Sequence, residues 1–144
     1  MLRDPTAHAS MLNPPFSLLA EDNGLRRMAS ITEALGPYLG NAGWAMRAWA
    51  RDNTEAVTRY LAAYVEGIRW MLNPANEAAA TALLAERLRL EPPMARRNLA
   101  LVTHPQTGAA VDGRFDLEGF RNVLRIRAEM LNTWNGPPPP PERY

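Results

Sequence analysis

Few side chains in this sequence are suited to covalent chemistry, and none falls into a known catalytic spacing. His8 and His104 are the only histidines, and they are the side chains that ordinarily titrate near neutral pH. They lie far apart, beside Ala and Pro, with no third ligand type nearby to suggest a metal site. Ser10, Ser17 and Ser30 would each need a base alongside to act as nucleophiles, and no G-x-S-x-G elbow supports one. Glu86 and Glu91 do not make a convincing acid/base pair. Cysteine is absent, which removes disulfides, thiolate metal sites and a Cys nucleophile. Neither a P-loop nor a G-x-G-x-x-G run is present. The expectation is therefore no catalytic residue, no metal and no cofactor: not an enzyme.

Two segments could instead contact a ligand without reacting with it. Asn13-Pro14-Pro15-Phe16-Ser17 runs into a short helix, and helix N-termini offer free N–H groups and a favourable dipole to anions. Pro14 and Pro15 carry no N–H, so donation would begin at Phe16 and Ser17. Ser17 could add a hydroxyl and Phe16 an apolar wall; equally, the segment can be a rigid turn with Phe16 in the core. Gly40-Asn41-Ala42-Gly43-Trp44 is the second segment. Asn41 could hydrogen-bond a ligand and Trp44 could stack on it, while Gly40 and Gly43 permit a hinge. The same residues also read as a plain loop.

The elements that would hold these residues fall into two unlike parts. Before about residue 50 the chain is punctuated by Gly and Pro. There Ala7–Leu12, Met28–Ile31 and Trp44–Met46 read as short strands, and Phe16–Asp22 as a short helix ended by Asn23-Gly24. Beyond it the pattern is helical. Asp52 and Glu55 have a capping-box-like spacing. Val57, Tyr60, Leu61, Tyr64, Val65, Ile68, Met71 and Leu72 then recur at intervals of three and four, tracing one helix face. Further helices are expected over Glu77–Leu88, Met94–Val102 and from an Asp116 cap onward. Pro137–Pro141 ends the pattern, and is read as an exposed terminal segment.

Composition sets the outer limits. The chain has 144 residues, 47% hydrophobic and 22% charged, enough for one packed domain. All 16 basic residues are Arg, against 15 acidic, for a net charge of +1. That balance argues against a nucleic-acid partner, and the Arg clusters at Arg96-Arg97 and Arg121/Arg125/Arg127 read as solvated faces. Four amphipathic helices need cover for their apolar stripes, and two or three short strands make only a marginal sheet.

Taken in order, the segments resemble a known family. Met11-Leu12-Asn13-Pro14-Pro15-Phe16, then Gly43-Trp44-Ala45-Met46-Arg47-Ala48-Trp49-Ala50-Arg51-Asp52-Asn53, then the helix bearing Arg59-Tyr60-Leu61 and Arg69-Trp70 are similar to ABC-transporter substrate-binding proteins of the nitrate/sulfonate/taurine type. Asn73-Pro74-Ala75-Asn76 and Phe115-Asp116-Leu117-Glu118-Gly119-Phe120 extend the likeness. The resemblance implies a helix-dominated α/β chain, the C-terminal part of a type II periplasmic-binding-protein fold. Residues 1–46 would be a partial lobe two with the hinge return, 47–135 the C-terminal helical segment, and 136–144 a Pro-rich tail. It implies a truncated solute-binding component of an importer, holding a small anionic or heteroaromatic solute and docking on a transporter permease. Asn13, Phe16, Ser17, Asn41 and Trp44 would contact the solute, with Gly40 and Gly43 at the hinge. The family works in the periplasm or lipid-anchored outside the cytoplasm; Asp4 and Pro5 interrupt the place of an export signal, so the chain as written is expected to stay cytoplasmic. The competing expectation is a non-catalytic helical module whose Val57–Leu72 stripe pairs with its own copy.

Overall fold

A computed structural model describes residues 8–144. Among them are seven α-helices: α1 (Phe16–Asp22), α2 (Ile31–Leu35), α3 (Arg47–Asp52), α4 (Thr54–Leu72), α5 (Glu77–Leu88), α6 (Pro92–Val102) and α7 (Leu117–Leu131). Short 3₁₀ turns occupy Pro74–Asn76, Val111–Gly113 and Pro141–Arg143. The chain divides into two units, Met1–Arg27 with Trp70–Ala109, and Met28–Arg69 with Ala110–Tyr144.

No strand forms among the described residues, and this overturns the α/β expectation. The chain is not a sheet-bearing lobe of a type II periplasmic-binding-protein fold; helices and their connecting loops make up the described residues. Local chemistry explains the reversal. At Met28–Ile31 the run enters a capping box instead of a strand. The Ser30 side chain accepts from Glu33 N–H at 3.2 Å, and the Glu33 carboxylate accepts from Ser30 N–H at 2.6 Å. Two otherwise orphaned donors are thereby satisfied and α2 begins at Ile31. Trp44 and Met46 remain exposed, and Met46 is extended, but extended backbone without a neighbouring strand has no ladder to join. His8–Leu12 likewise form no strand. Ala7 and the Asp4-Pro5 interruption lie outside the described residues.

In the first unit, α5 and α6 form an antiparallel hairpin. Ala80, Ala95 and Leu99 are buried between and around them, with Ala95 fully inaccessible. Small residues let helix axes approach closely. The turn is made by Arg89, which adopts the left-handed conformation at φ 53, and by Glu91, which is extended ahead of Pro92 and Pro93 in the first turn of α6. α1 buries Leu18 and Ala20. Asp22 at its end accepts from Arg97 Nη1 at 2.8 Å on both carboxylate oxygens. His104 Nδ1 accepts from Gln106 N–H at 3.3 Å and lies 3.0 Å from Thr107 Oγ1, so its ring organises the turn after α6.

In the second unit, the Asp116 carboxylate caps α7 by accepting from Gly119 N–H at 2.9 Å. The Asn122 side chain then donates to Leu35 O at 2.6 Å and Pro37 O at 2.8 Å, satisfying carbonyls at the end of α2. Asn122 is itself held by Arg125 Nη2 at 2.7 Å. Arg125 also pairs with Glu129 at 2.8 Å. Pro137–Pro141 are exposed or half-buried, and beyond them Tyr144 meets Phe120 edge-on at 5.7 Å and Arg47 donates to Arg143 O at 3.2 Å. Phe115 packs on the same Phe120 ring at 5.4 Å.

The expected cap of α4 moves. Asp52 lies inside α3, and Asn53 separates the two helices, its carbonyl accepting Val57 N–H at 3.1 Å. The Asn53 amide turns back to Trp49 O at 2.9 Å, and the Thr54 hydroxyl to Arg51 O at 2.9 Å. These bonds leave no role for an Asp52–Glu55 box.

Candidate functional site

The two ligand-contact segments expected from the sequence fall in different units. In the first, Asn13 and Phe16 are exposed, Phe16 at 64%, and Ser17 is half-buried. Asn13 O accepts Ser17 N–H at 3.2 Å, so that amide is already engaged within the turn. Phe16 is not in the core. In the second, Asn41 is exposed and Trp44 stands 90% exposed. A Cβ added at Gly40 or Gly43 would meet nothing within 4 Å, and neither glycine takes the left-handed φ that only glycine adopts easily. Both lie inside the second unit, away from the breaks between units.

The richer surface is α4 between Thr54 and Arg69. Its stripe is covered on one side only. Ile68 is buried, and the Val111–Gly113 turn lies against it and Tyr64. Gly113, at φ 63, comes so close that an added Cβ would sit 3.2 Å from the Tyr64 ring and 3.7 Å from Ile68 Cδ1. Arg69 Nε donates to Asp112 Oδ1 at 2.6 Å and fastens the turn to the helix. That hydrogen bond holds the Asp112 carboxyl below its ordinary value and raises the Arg69 guanidinium above its own.

Even so, much of α4 stays exposed. Tyr60 is 64% exposed, and Leu61 and Tyr64 are each 52% exposed. The two tyrosine rings stack along the helix at 6.3 Å with planes 12° apart. Thr58, Leu61, Ala62, Val65, Glu66 and Arg69 line a shallow open trough. The floor is low because Ala62 is small between larger neighbours. The Glu55–Arg59 pair at 2.6 Å marks the upstream end. The face is apolar at its centre and edged by both charge signs.

The stripe from Val57 to Leu72 was legible from residue spacing. The Arg69–Asp112 contact was not, because 43 residues separate its partners. Asp112-Gly113 is a turn signal, yet nothing local says where that turn docks. Among the described residues, no group of three or more His, Asp or Glu side chains is arranged to hold a metal ion. None of their helices is long and apolar enough to cross a membrane. Comparison with protein-family models, curated proteins and solved structures gives no match for this chain.

Proposed function

We propose that the chain is a non-catalytic helical association module, and that the exposed trough face of α4 takes a second copy of itself. The observation that carries this reading is the open trough along α4, in which Leu61 stands 52% exposed beside Ala62 and Val65, between charged edges. Contiguous apolar side chains at helical spacing are costly in water and are relieved by a partner with the same periodicity. Self-pairing requires no further gene product, and two-fold dimers are the commonest closed assemblies. The solute-import role implied by the family resemblance rests on the sequence likeness alone, because the cleft it needs is built between sheet-bearing lobes.

Sedimentation velocity of the purified chain across a hundredfold concentration range tests the proposal. The expected result is a monomer–dimer equilibrium that shifts to monomer in Leu61→Glu. A well-folded monomer at every concentration would overturn it.

A further inference from the structure

The arrangement of charges around the α4 trough goes beyond association and specifies its direction. We infer that two copies of α4 pair antiparallel, with Ala62 at the two-fold axis; this rests on the self-association reading above.

Ala62 supplies the close approach. Thr58 and Val65 stand about one turn on either side of it along the trough, and Leu61 flanks it. With 3.6 residues per turn, Glu55, Arg59 and Glu66 project to one side of Ala62, at roughly 20–60° around the helix. Thr58, Leu61 and Val65 project to the other side. The helix thus has a charged edge and an apolar edge bordering a small-residue seam.

A two-fold axis perpendicular to antiparallel helices keeps like edges together and inverts axial height. Arg59 lies about 5 Å before the seam's centre and Glu66 about 5–6 Å after it, at a rise of 1.5 Å per residue. Inversion brings Arg59 of one copy level with Glu66 of the other, twice per dimer. The same operation sets Thr58 against Val65 on the apolar edge. It also brings Glu55 level with Arg69, whose Nε is taken by Asp112 but whose two terminal nitrogens remain for a second carboxylate. No ion pair within 4.0 Å engages Glu66 among the described residues, and Arg59 reaches only the highly exposed Glu55. Parallel pairing does the opposite. It would lay the charged edge of one copy on the apolar edge of the other, desolvating Arg59 and Glu66 with no opposite charge at their level. Charge complementarity therefore selects the antiparallel arrangement.

The chain contains no cysteine, so single cysteines can report the geometry directly. Arg59→Cys and Glu66→Cys alter exposed side chains on the helix surface. Under mild oxidation, A62C should cross-link to its own copy. R59C alone and E66C alone should not, because the like positions lie about 10 Å apart along the axis, beyond disulfide reach. A mixture of R59C and E66C should cross-link across the pair. In uncross-linked protein, R59E should weaken dimerisation about tenfold, and the double charge reversal R59E/E66R should restore it. A dimer in which R59C or E66C links efficiently to itself, or in which the double reversal fails to rescue, overturns the antiparallel register while leaving self-association standing. Monomer at all concentrations overturns both.

Discussion

Arg69 Nε donates to Asp112 Oδ1 across 2.6 Å, and this contact fastens the downstream part of α4 to the Val111–Gly113 turn. Both side chains are largely exposed, so its importance is positional more than energetic. It holds the turn over Ile68 and the Tyr64 edge, and so fixes which part of the α4 stripe stays covered.

The pair gives the turn a pH dependence. Asp112 has its carboxyl pulled below its ordinary value of 3.8 by the Arg69 hydrogen bond. A carboxylate with a depressed folded value stabilises the folded arrangement above its unfolded value, and that contribution disappears as pH falls through the folded one. The turn should therefore stay docked from neutrality down to about pH 4 and loosen only below it. Following the Gly113 amide by NMR during an acid titration would show this, and Asp112→Asn should abolish the step. An unchanged titration in that variant would remove Asp112 as its source.

Gly113 should not tolerate a side chain. It combines φ 63 with an approach that would put a Cβ 3.2 Å from the Tyr64 ring. Gly113→Ala should destabilise the second unit by about 1–2 kcal/mol, the range for a non-glycine residue forced into a left-handed turn. Chemical denaturation measures it. The Tyr60–Tyr64 stack should also shift its near-ultraviolet dichroism, since the lower ring must move.

Arg89 is the reverse case. It sits at φ 53 after α5, in a position glycine fills more cheaply, and Leu90 N–H reaches back to Ala85 O at 3.0 Å. Arg89→Gly should stabilise the first unit by about 0.5–1 kcal/mol, after the greater freedom of glycine in the unfolded chain is counted. Thermal unfolding should move upward by a few degrees. A downward shift would mean that the Arg89 side chain makes a contribution larger than its backbone strain.

Asn122 should be hard to replace. Its amide donates to both Leu35 O and Pro37 O, and its oxygen accepts from Arg125. Asn122→Ala should cost about 1–2 kcal/mol, two net hydrogen bonds at ordinary value. Asn122→Asp should cost more despite its closer shape, because a carboxylate donates nothing and would face two carbonyl oxygens. If the Asp variant proved the more stable in denaturation, the donor role would be wrong.

How far the sequence could be read depended on how local the determining interactions were. Phe16–Asp22 and Glu77–Leu88 form over the residues their patterns indicate, and the Asp116 cap opens α7 as expected. Their signals are contained within a few turns of chain. The strand at Met28–Ile31 failed for a local reason that was available: Ser30-Ile31-Thr32-Glu33 has capping-box spacing, and two reciprocal hydrogen bonds outweigh a short apolar run. Asp52 failed because Asn53 and Thr54 turn back onto α3, a competition between neighbouring side chains that spacing alone does not rank. The apolar stripe of α4 was legible, but its cover was not. Gly113 and Asp112 reach it from far along the chain, and a single sequence carries no record of that distance.

The alanine-rich seam between α5 and α6 has a thermodynamic consequence. Among the described residues no large side chain is fully buried, and the tightest sites are Ala80, Ala95, Asn98 and Leu99. Alanine hides little apolar area, so unfolding should expose less new hydration surface than the chain length would suggest. Since the heat-capacity increment and denaturant sensitivity both scale with that surface, the calorimetric transition should be broad and the urea slope shallow. For such a chain, protein concentration becomes a stability variable as real as temperature, because any area hidden between two copies counts in full against a small intramolecular total.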